Sequence, residues 1–212
     1  MLKKVIHMCL NFLLPQKCFG CGKENETLCR ECLAKIDMPS LPKEGDIFSA
    51  ADYGDETAKK AIWMLKYRGA KNLAEPLAEL LNTRCLTKLE IKNISDWLVV
   101  PVPLSKERLR ERGYNQAELI AKHLSLLQRL NLCADALVKI KDTPAQVSVK
   151  NKRERLKNLD GAFAVKNPEK ILGKKIILID DVSTTGATIR EAKKTLRANG
   201  AKKVIAFVVA RG

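Results

Sequence analysis

Along this chain the hydrophobic positions switch between two periods. Continuous branched apolar runs occur at Ile176-Ile177-Leu178-Ile179 and at Val204-Ile205-Ala206-Phe207-Val208-Val209, the pattern of strands buried on both faces. Trp97-Leu98-Val99-Val100-Pro101-Val102-Pro103 is a third such run, closed by proline, and Ile47 to Tyr53 and Gly161 to Val165 read as shorter strands. Between them the period becomes helical. Thr57 to Lys66 places Ala58, Ala61, Ile62 and Leu65 on one face, and Leu73 to Leu86 tolerates Pro76 only near its start. Asn115 caps a helix reaching about Leu130, with Ala117, Ile120, Ala121, Leu124 and Leu127 inward. After Thr188 a helix with Ile189, Ala192 and Leu196 on one face stops at Asn199-Gly200. Strands alternating with helices predict an α/β fold, a parallel sheet covered by helices on both faces.

Chemistry concentrates where the second-to-last apolar run ends. Asp180 and Asp181 close the strand, and Val182-Ser183-Thr184-Thr185-Gly186-Ala187-Thr188 leads into the helix. In open α/β sheets ligands bind outside the carboxyl ends of the strands. A loop of amides and hydroxyls at a helix start suits a phosphate, and two acids beside it suit sugar hydroxyls or Mg²⁺. The loop is neither a P-loop nor a Gly-x-Gly-x-x-Gly turn. A capping box of Thr188 and Glu191 would explain the helix start but not the paired acids.

Four of the seven cysteines form two Cys-x-x-Cys pairs, Cys18/Cys21 and Cys29/Cys32, the spacing of a Cys₄ zinc site. With all four positions filled, the metal would be structural. Cys9, Cys85 and Cys133 read as small core residues. Residues 1–38 are expected to form an N-terminal helix and zinc module, and residues 46–212 the sheet domain. The apolar start, Met1 to Leu14, is interrupted by His7 and Asn11 and lacks a small-residue cleavage site. It reads as an amphipathic helix on the zinc module rather than a signal peptide, with membrane-surface contact as the alternative. No apolar stretch is long enough to span a bilayer, and a cytoplasmic location is expected.

With 39 Lys+Arg against 24 Asp+Glu, the 212-residue chain carries +15, which suits a polyanionic partner. Aromatic residues make up only 5%, so stacking platforms for bases are few. Basic residues gather in three places. Lys66-Tyr67-Arg68-Gly69 ends the first helix. Arg108, Arg110 and Arg112 follow the Pro-Val-Pro strand and lead into Gly113-Tyr114-Asn115-Gln116. Between Asp142 and Leu159 there is no convincing periodicity, and five of the eight residues from Lys150 to Lys157 are basic, as in a lid or a nucleic-acid-binding edge.

The paired Cys-x-x-Cys, Leu65-Lys66-Tyr67-Arg68-Gly69, Val100-Pro101-Val102-Pro103-Leu104 with Arg-x-Arg-Gly-Tyr-Asn-Gln, Gln146 with Arg153-Glu154-Arg155-x-x-Asn158, and the Asp180-Asp181 loop together resemble the ComF family. That resemblance implies a zinc finger joined to a type I phosphoribosyltransferase-like domain, in a protein of natural transformation that handles single-stranded DNA beside a helicase partner. It implies a pocket for phosphoribosyl diphosphate, with Thr184, Thr185, Gly186, Ala187 and Thr188 at the 5-phosphate and Asp180 and Asp181 at the ribose and Mg²⁺. Lys66, Arg108 and Arg112 are expected at the diphosphate, and Arg110, Lys150, Lys152, Arg153 and Arg155 at DNA. Leu2 follows Met1 where a glutamine-splitting nucleophile would need cysteine, so glutamine-dependent amination is not expected. Two other functions compete: an active phosphoribosyltransferase with a nucleobase or related acceptor, and a non-catalytic module docking a helicase or regulator through the zinc finger.

Overall fold

The computed structural model describes residues 17–39, 46–88, 96–141 and 160–212. The expected N-terminal helix, and the basic residues Lys150, Lys152, Arg153 and Arg155, lie outside the described residues.

The apolar runs assemble into one five-stranded, all-parallel sheet. Its strands are β1 (Ile47–Asp52), β2 (Trp97–Pro101), β3 (Asn131–Leu132), β6 (Lys175–Ser183) and β7 (Lys203–Arg211), in the order β1-β7-β6-β2-β3. The two longest runs occupy the middle. In β6 and β7 alternate side chains enter different cores. Ile177, Ile179, Ile205 and Phe207 face one, and Ile176, Leu178, Val204 and Ala206 face the other.

The first core is covered by α2 (Glu56–Tyr67), α3 (Ala74–Arg84) and α5 (Gln116–Gln128). Asp55 caps α2 by accepting from Ala58 N at 2.7 Å, and its inward residues are the predicted Ala58, Ala61, Ile62 and Leu65. The second core is covered by α7 (Ala187–Ala198) and by a small antiparallel pair, β4 (Leu137–Lys139) with β5 (Phe163–Val165). The strand expected from Gly161 to Val165 therefore stands outside the main sheet. A short helix, α6 (Pro168–Ile171), precedes β6.

The cysteine module carries α1 (Arg30–Ala34), and its Leu28, Cys29, Leu33 and Ile36 join the same core as α2 and α3. Arg84 fastens this junction. Its guanidinium donates to the carbonyls of Ile36 at 2.8 Å, Ala50 at 3.0 Å, Ala34 at 3.2 Å and Asp37 at 3.4 Å. Cys85 and Cys133 are buried core residues, as expected. No helix among the described residues is long and apolar enough to cross a membrane.

Candidate phosphoribosyl site and cysteine cluster

β6 runs on past its apolar core, so both acids are strand residues and alternate in direction like those before them. Asp181 follows Ile177 and Ile179 toward α2. There its Oδ1 lies 2.9 Å from Nζ of Lys66, in the last turn of that helix. The pair is enclosed, with the Asp181 side chain 5% and the Lys66 side chain 19% exposed. Burial works against the Lys66 charge, but Asp181 and then Asp180 outweigh it and hold the ammonium above the ordinary lysine value. The other oxygen, Asp181 Oδ2, is buried with no hydrogen-bond partner among the described residues. Such an orphan acceptor is costly unless something occupies it.

Asp180 points the other way, toward the second core and the β4–β5 pair, where Lys139 contributes to its field. It is half-buried, and its Oδ1 accepts from the Asp181 amide at 2.8 Å. Burial, then the neighbouring Asp181 charge, push its carboxyl up to about 7. The two acids thus straddle the end of one strand, one locked to a lysine and one free to exchange a proton near neutrality.

The loop after them turns at Gly186, which has φ +72° and forms the N-cap of α7. A side chain here would meet left-handed strain and, 2.6 Å away, the Arg190 guanidinium. Arg190 donates to the Thr185 carbonyl at 2.6 Å, bracing the loop from behind, and Thr185 Oγ1 accepts from Ala187 N at 3.4 Å. Among the described residues the amides of Thr184, Thr185 and Gly186 donate to nothing else. With the twelve-residue α7 behind them, these amides are donors of the kind that suits an anion. Glu191 is not part of a capping box: its Oε1 accepts from Gly161 N at 2.8 Å and ties the β5 approach to α7.

The arginine segment is a helix, α4 (Lys106–Arg112), capped by the Ser105 hydroxyl and ended by Gly113 at φ +75°. Arg108 and Arg112 are half-buried and Arg110 is exposed. Each residue of Tyr114-Asn115-Gln116 then makes a tertiary bond. The Tyr114 hydroxyl donates to the Leu65 carbonyl of α2. Asn115 donates to the Val102 carbonyl at 3.0 Å and caps Ala117 N at 3.1 Å, and Gln116 accepts from Arg112. Arg112 is also 5.4 Å from the Tyr67 ring centre, so this motif closes α4 against the end of α2 beside Lys66. The structure thus brings Arg112 against Tyr67, the chain neighbour of Lys66, which pairs with Asp181.

Cys18, Cys21, Cys29 and Cys32 converge. Their Sγ atoms lie within 4.8 Å of one another, and Cys21 and Cys29 are 3.5 Å apart. A tetrahedral ion with bonds of about 2.3 Å needs sulfurs about 3.8 Å apart, so the set could hold a metal ion. Gly20 is required there, because a Cβ would come 2.8 Å from Cys32 Sγ. Burial alone would raise the Cys18 thiol, but backbone amides of Cys29, Cys21 and Gly20 bring it down to about 6, toward the thiolate a metal binds.

A separate cleft of about 610 Å³ separates this module from α3. Lys23 is paired there with Glu31 at 3.3 Å and Arg30 with Glu79 at 2.9 Å, and neither Asp180 nor Asp181 lines it. It is a polar seam.

No motif gave a role to Trp63 and Lys60, which share the outer side of α2 with Tyr67, or to Phe19 of the cysteine module, whose ring lies 5.1 Å from Lys60 Nζ. The one available signal was two aromatics four residues apart, opposite the apolar stripe.

Residues 110–212 match the model of the phosphoribosyl transferase domain. The competence protein ComFC of Streptococcus pneumoniae is 37% identical over 202 residues, 92% of this chain and 81% of that protein. The DNA utilization protein YhgH of Escherichia coli is 27% identical over 208 residues, 92% of this chain and 88% of that protein. Among solved structures, the glutamine phosphoribosylpyrophosphate amidotransferase of B. subtilis is 13% identical with a TM-score of 0.41, over 65% of this chain and 26% of that one. The likeness to ComFC spans the cysteine module, the Arg-Gly-Tyr-Asn-Gln junction and the acid loop together, and the chain belongs to the ComF family.

Proposed function

We propose that this protein serves DNA uptake in natural transformation, binding single-stranded DNA and carrying a pocket for phosphoribosyl diphosphate or a ligand of that kind. The observation that carries the pocket is the buried Oδ2 of Asp181, unpartnered among the described residues, followed in the chain by the Thr184, Thr185 and Gly186 amides, which find no acceptor among those residues. In this reading Thr184, Thr185, Gly186, Ala187 and Thr188 hold the 5-phosphate, and Asp180 and Asp181 take the ribose hydroxyls. Lys66, Arg108 and Arg112 face the diphosphate. Mg²⁺, when bound with the ligand, would neutralise diphosphate charge near the acids. The +15 charge and the names of the competence and DNA utilization relatives support the nucleic-acid half. Zinc in the Cys₄ cluster would be structural, since no coordination position is left open. A cytoplasmic location and a helicase partner belong to the same reading.

Anisotropy of a fluorescent oligonucleotide across a salt series tests the DNA half. Affinity should fall linearly in log–log form as salt rises; absence of binding at 50 mM salt removes that half.

A second reading, transfer of the phosphoribosyl group to an acceptor, is favoured by Asp180, whose carboxyl near 7 suits proton exchange at neutral pH. Mg²⁺-dependent pyrophosphate release over a panel of nucleobases tests it, and Asp180→Asn should abolish any release found.

A further inference from the structure

The outer face of α2 alternates cations with aromatic rings. Trp63 is 48% and Tyr67 64% exposed, one helical turn apart, with ring centres 6.3 Å apart and planes tilted by 48°. They are therefore not stacked on each other. Arg68 lies 5.5 Å from the centre of Trp63, and Arg112 lies 5.4 Å from that of Tyr67. One turn before Trp63, Lys60 stands 5.1 Å from the ring of Phe19 in the cysteine module. Beyond Tyr67, Lys71 lies 4.7 Å from the Tyr114 ring. The row starts beside the cysteine cluster and passes Tyr67, the chain neighbour of Lys66, the residue paired with Asp181.

Single exposed aromatics are ordinary on a protein surface. Two in register, each flanked by a guanidinium and continued at both ends by a lysine on a ring, make a surface whose complement is planar and anionic at short regular intervals. That is a single strand of nucleic acid, whose bases stack on rings while its phosphates meet cations.

We propose that the row Phe19, Lys60, Trp63, Arg68, Tyr67 and Arg112 is the track that binds single-stranded DNA, with bases stacked on Trp63 and Tyr67. The track rests on the nucleic-acid half of the function proposed above. It leads the strand from the cysteine module to the mouth of the acid pocket and leaves Asp181 and the Thr184–Thr188 loop to the sugar phosphate. DNA and phosphoribosyl diphosphate then occupy adjoining sites that share Arg112.

The test uses the full-length protein and a short oligothymidylate. Of the two tryptophans, Trp97 is buried and only Trp63 is accessible, so binding should quench tryptophan fluorescence. Trp63→Phe should lose the quench yet keep affinity within about twofold. Trp63→Ala and Tyr67→Ala should each weaken binding about tenfold at unchanged salt slope, while Arg68→Ala should lower the slope. Duplex DNA, whose bases are already stacked, should compete poorly. If the wild type binds the oligonucleotide without quenching and both alanine variants bind as it does, the track is wrong while DNA binding stands. If duplex and single strand bind equally with no quench, stacking is wrong. If the wild type binds no oligonucleotide, track and DNA reading fall together.

Discussion

Lys66 on α2 and Asp181 on β6 come from distant parts of the chain and meet at 2.9 Å inside the protein. The contact fixes the end of α2 against the end of the central strand, where the Arg112-Gly113-Tyr114-Asn115-Gln116 junction also docks. One carboxylate oxygen answers the ammonium, and the other is buried with no hydrogen-bond partner among the described residues.

Breaking that pair from either side leaves a buried charge. Lys66→Met should destabilise the fold by about 3 kcal/mol, because Asp181 loses its counter-charge in a low-dielectric setting. Lys66→Met with Asp181→Asn should cost clearly less than the two single changes added together. Urea unfolding of the four proteins measures the coupling.

Asp180 predicts a pH signature. Its folded carboxyl titrates near 7, above the ordinary 3.8, so the folded state holds the proton more tightly than the unfolded chain. The stability it contributes is complete below about pH 4 and is lost as pH rises to about 7. Asp180→Asn removes that loss. The variant should gain on the wild type from pH 4 to 7, by at most about 4 kcal/mol, and run parallel above it. Thermal unfolding across that pH range checks the sign.

The strand, loop and helix around these acids were legible because Ile176 to Ile179, the Thr/Gly turn and the Ile189-Ala192-Leu196 stripe all point to one local structure. α4 was legible only from the spacing of Glu107 and Glu111 among its arginines, since Leu109 is the one apolar residue of its seven. β5 was read as a strand, but its three-residue partner β4 and their long-range pairing outside the main sheet were not. The partner of Lys66 was hidden for the same reason. The track on α2 was passed over because overall composition, 5% aromatic, says nothing of where those few rings collect.

Arg84 should prove the clamp between cysteine module and sheet. Its four carbonyl acceptors need the guanidinium fork, so Arg84→Met should cost about 2–3 kcal/mol, and Arg84→Lys should recover little of it. Proteolysis near residues 34–39 should accelerate in both variants.

Removing metal should act through the core as well as through the cluster. Cys18 and Cys29 pack in the same core as α2 and α3, so chelation, or Cys29→Ser, should lower the melting temperature by several degrees at least. Elemental analysis of the purified protein should find one zinc per chain, and its loss should track the melting shift.

Gly186→Ala separates loop shape from charge. The substitution keeps every ionisable group but places a Cβ in a left-handed turn against Arg190. It should cost about 1–2 kcal/mol of stability and weaken sugar-phosphate binding, leaving oligonucleotide affinity unchanged. Paired titrations with ribose 5-phosphate and an oligonucleotide read both.

Titration calorimetry of the wild type and Asp181→Asn with phosphoribosyl diphosphate and Mg²⁺ reaches the pocket itself. We expect saturable binding of one ligand per chain in the wild type and at least a tenfold loss in the variant, with Lys66 left to the diphosphate alone. No binding by the folded wild type, or equal binding by both proteins, would contradict a sugar-phosphate site at the end of β6.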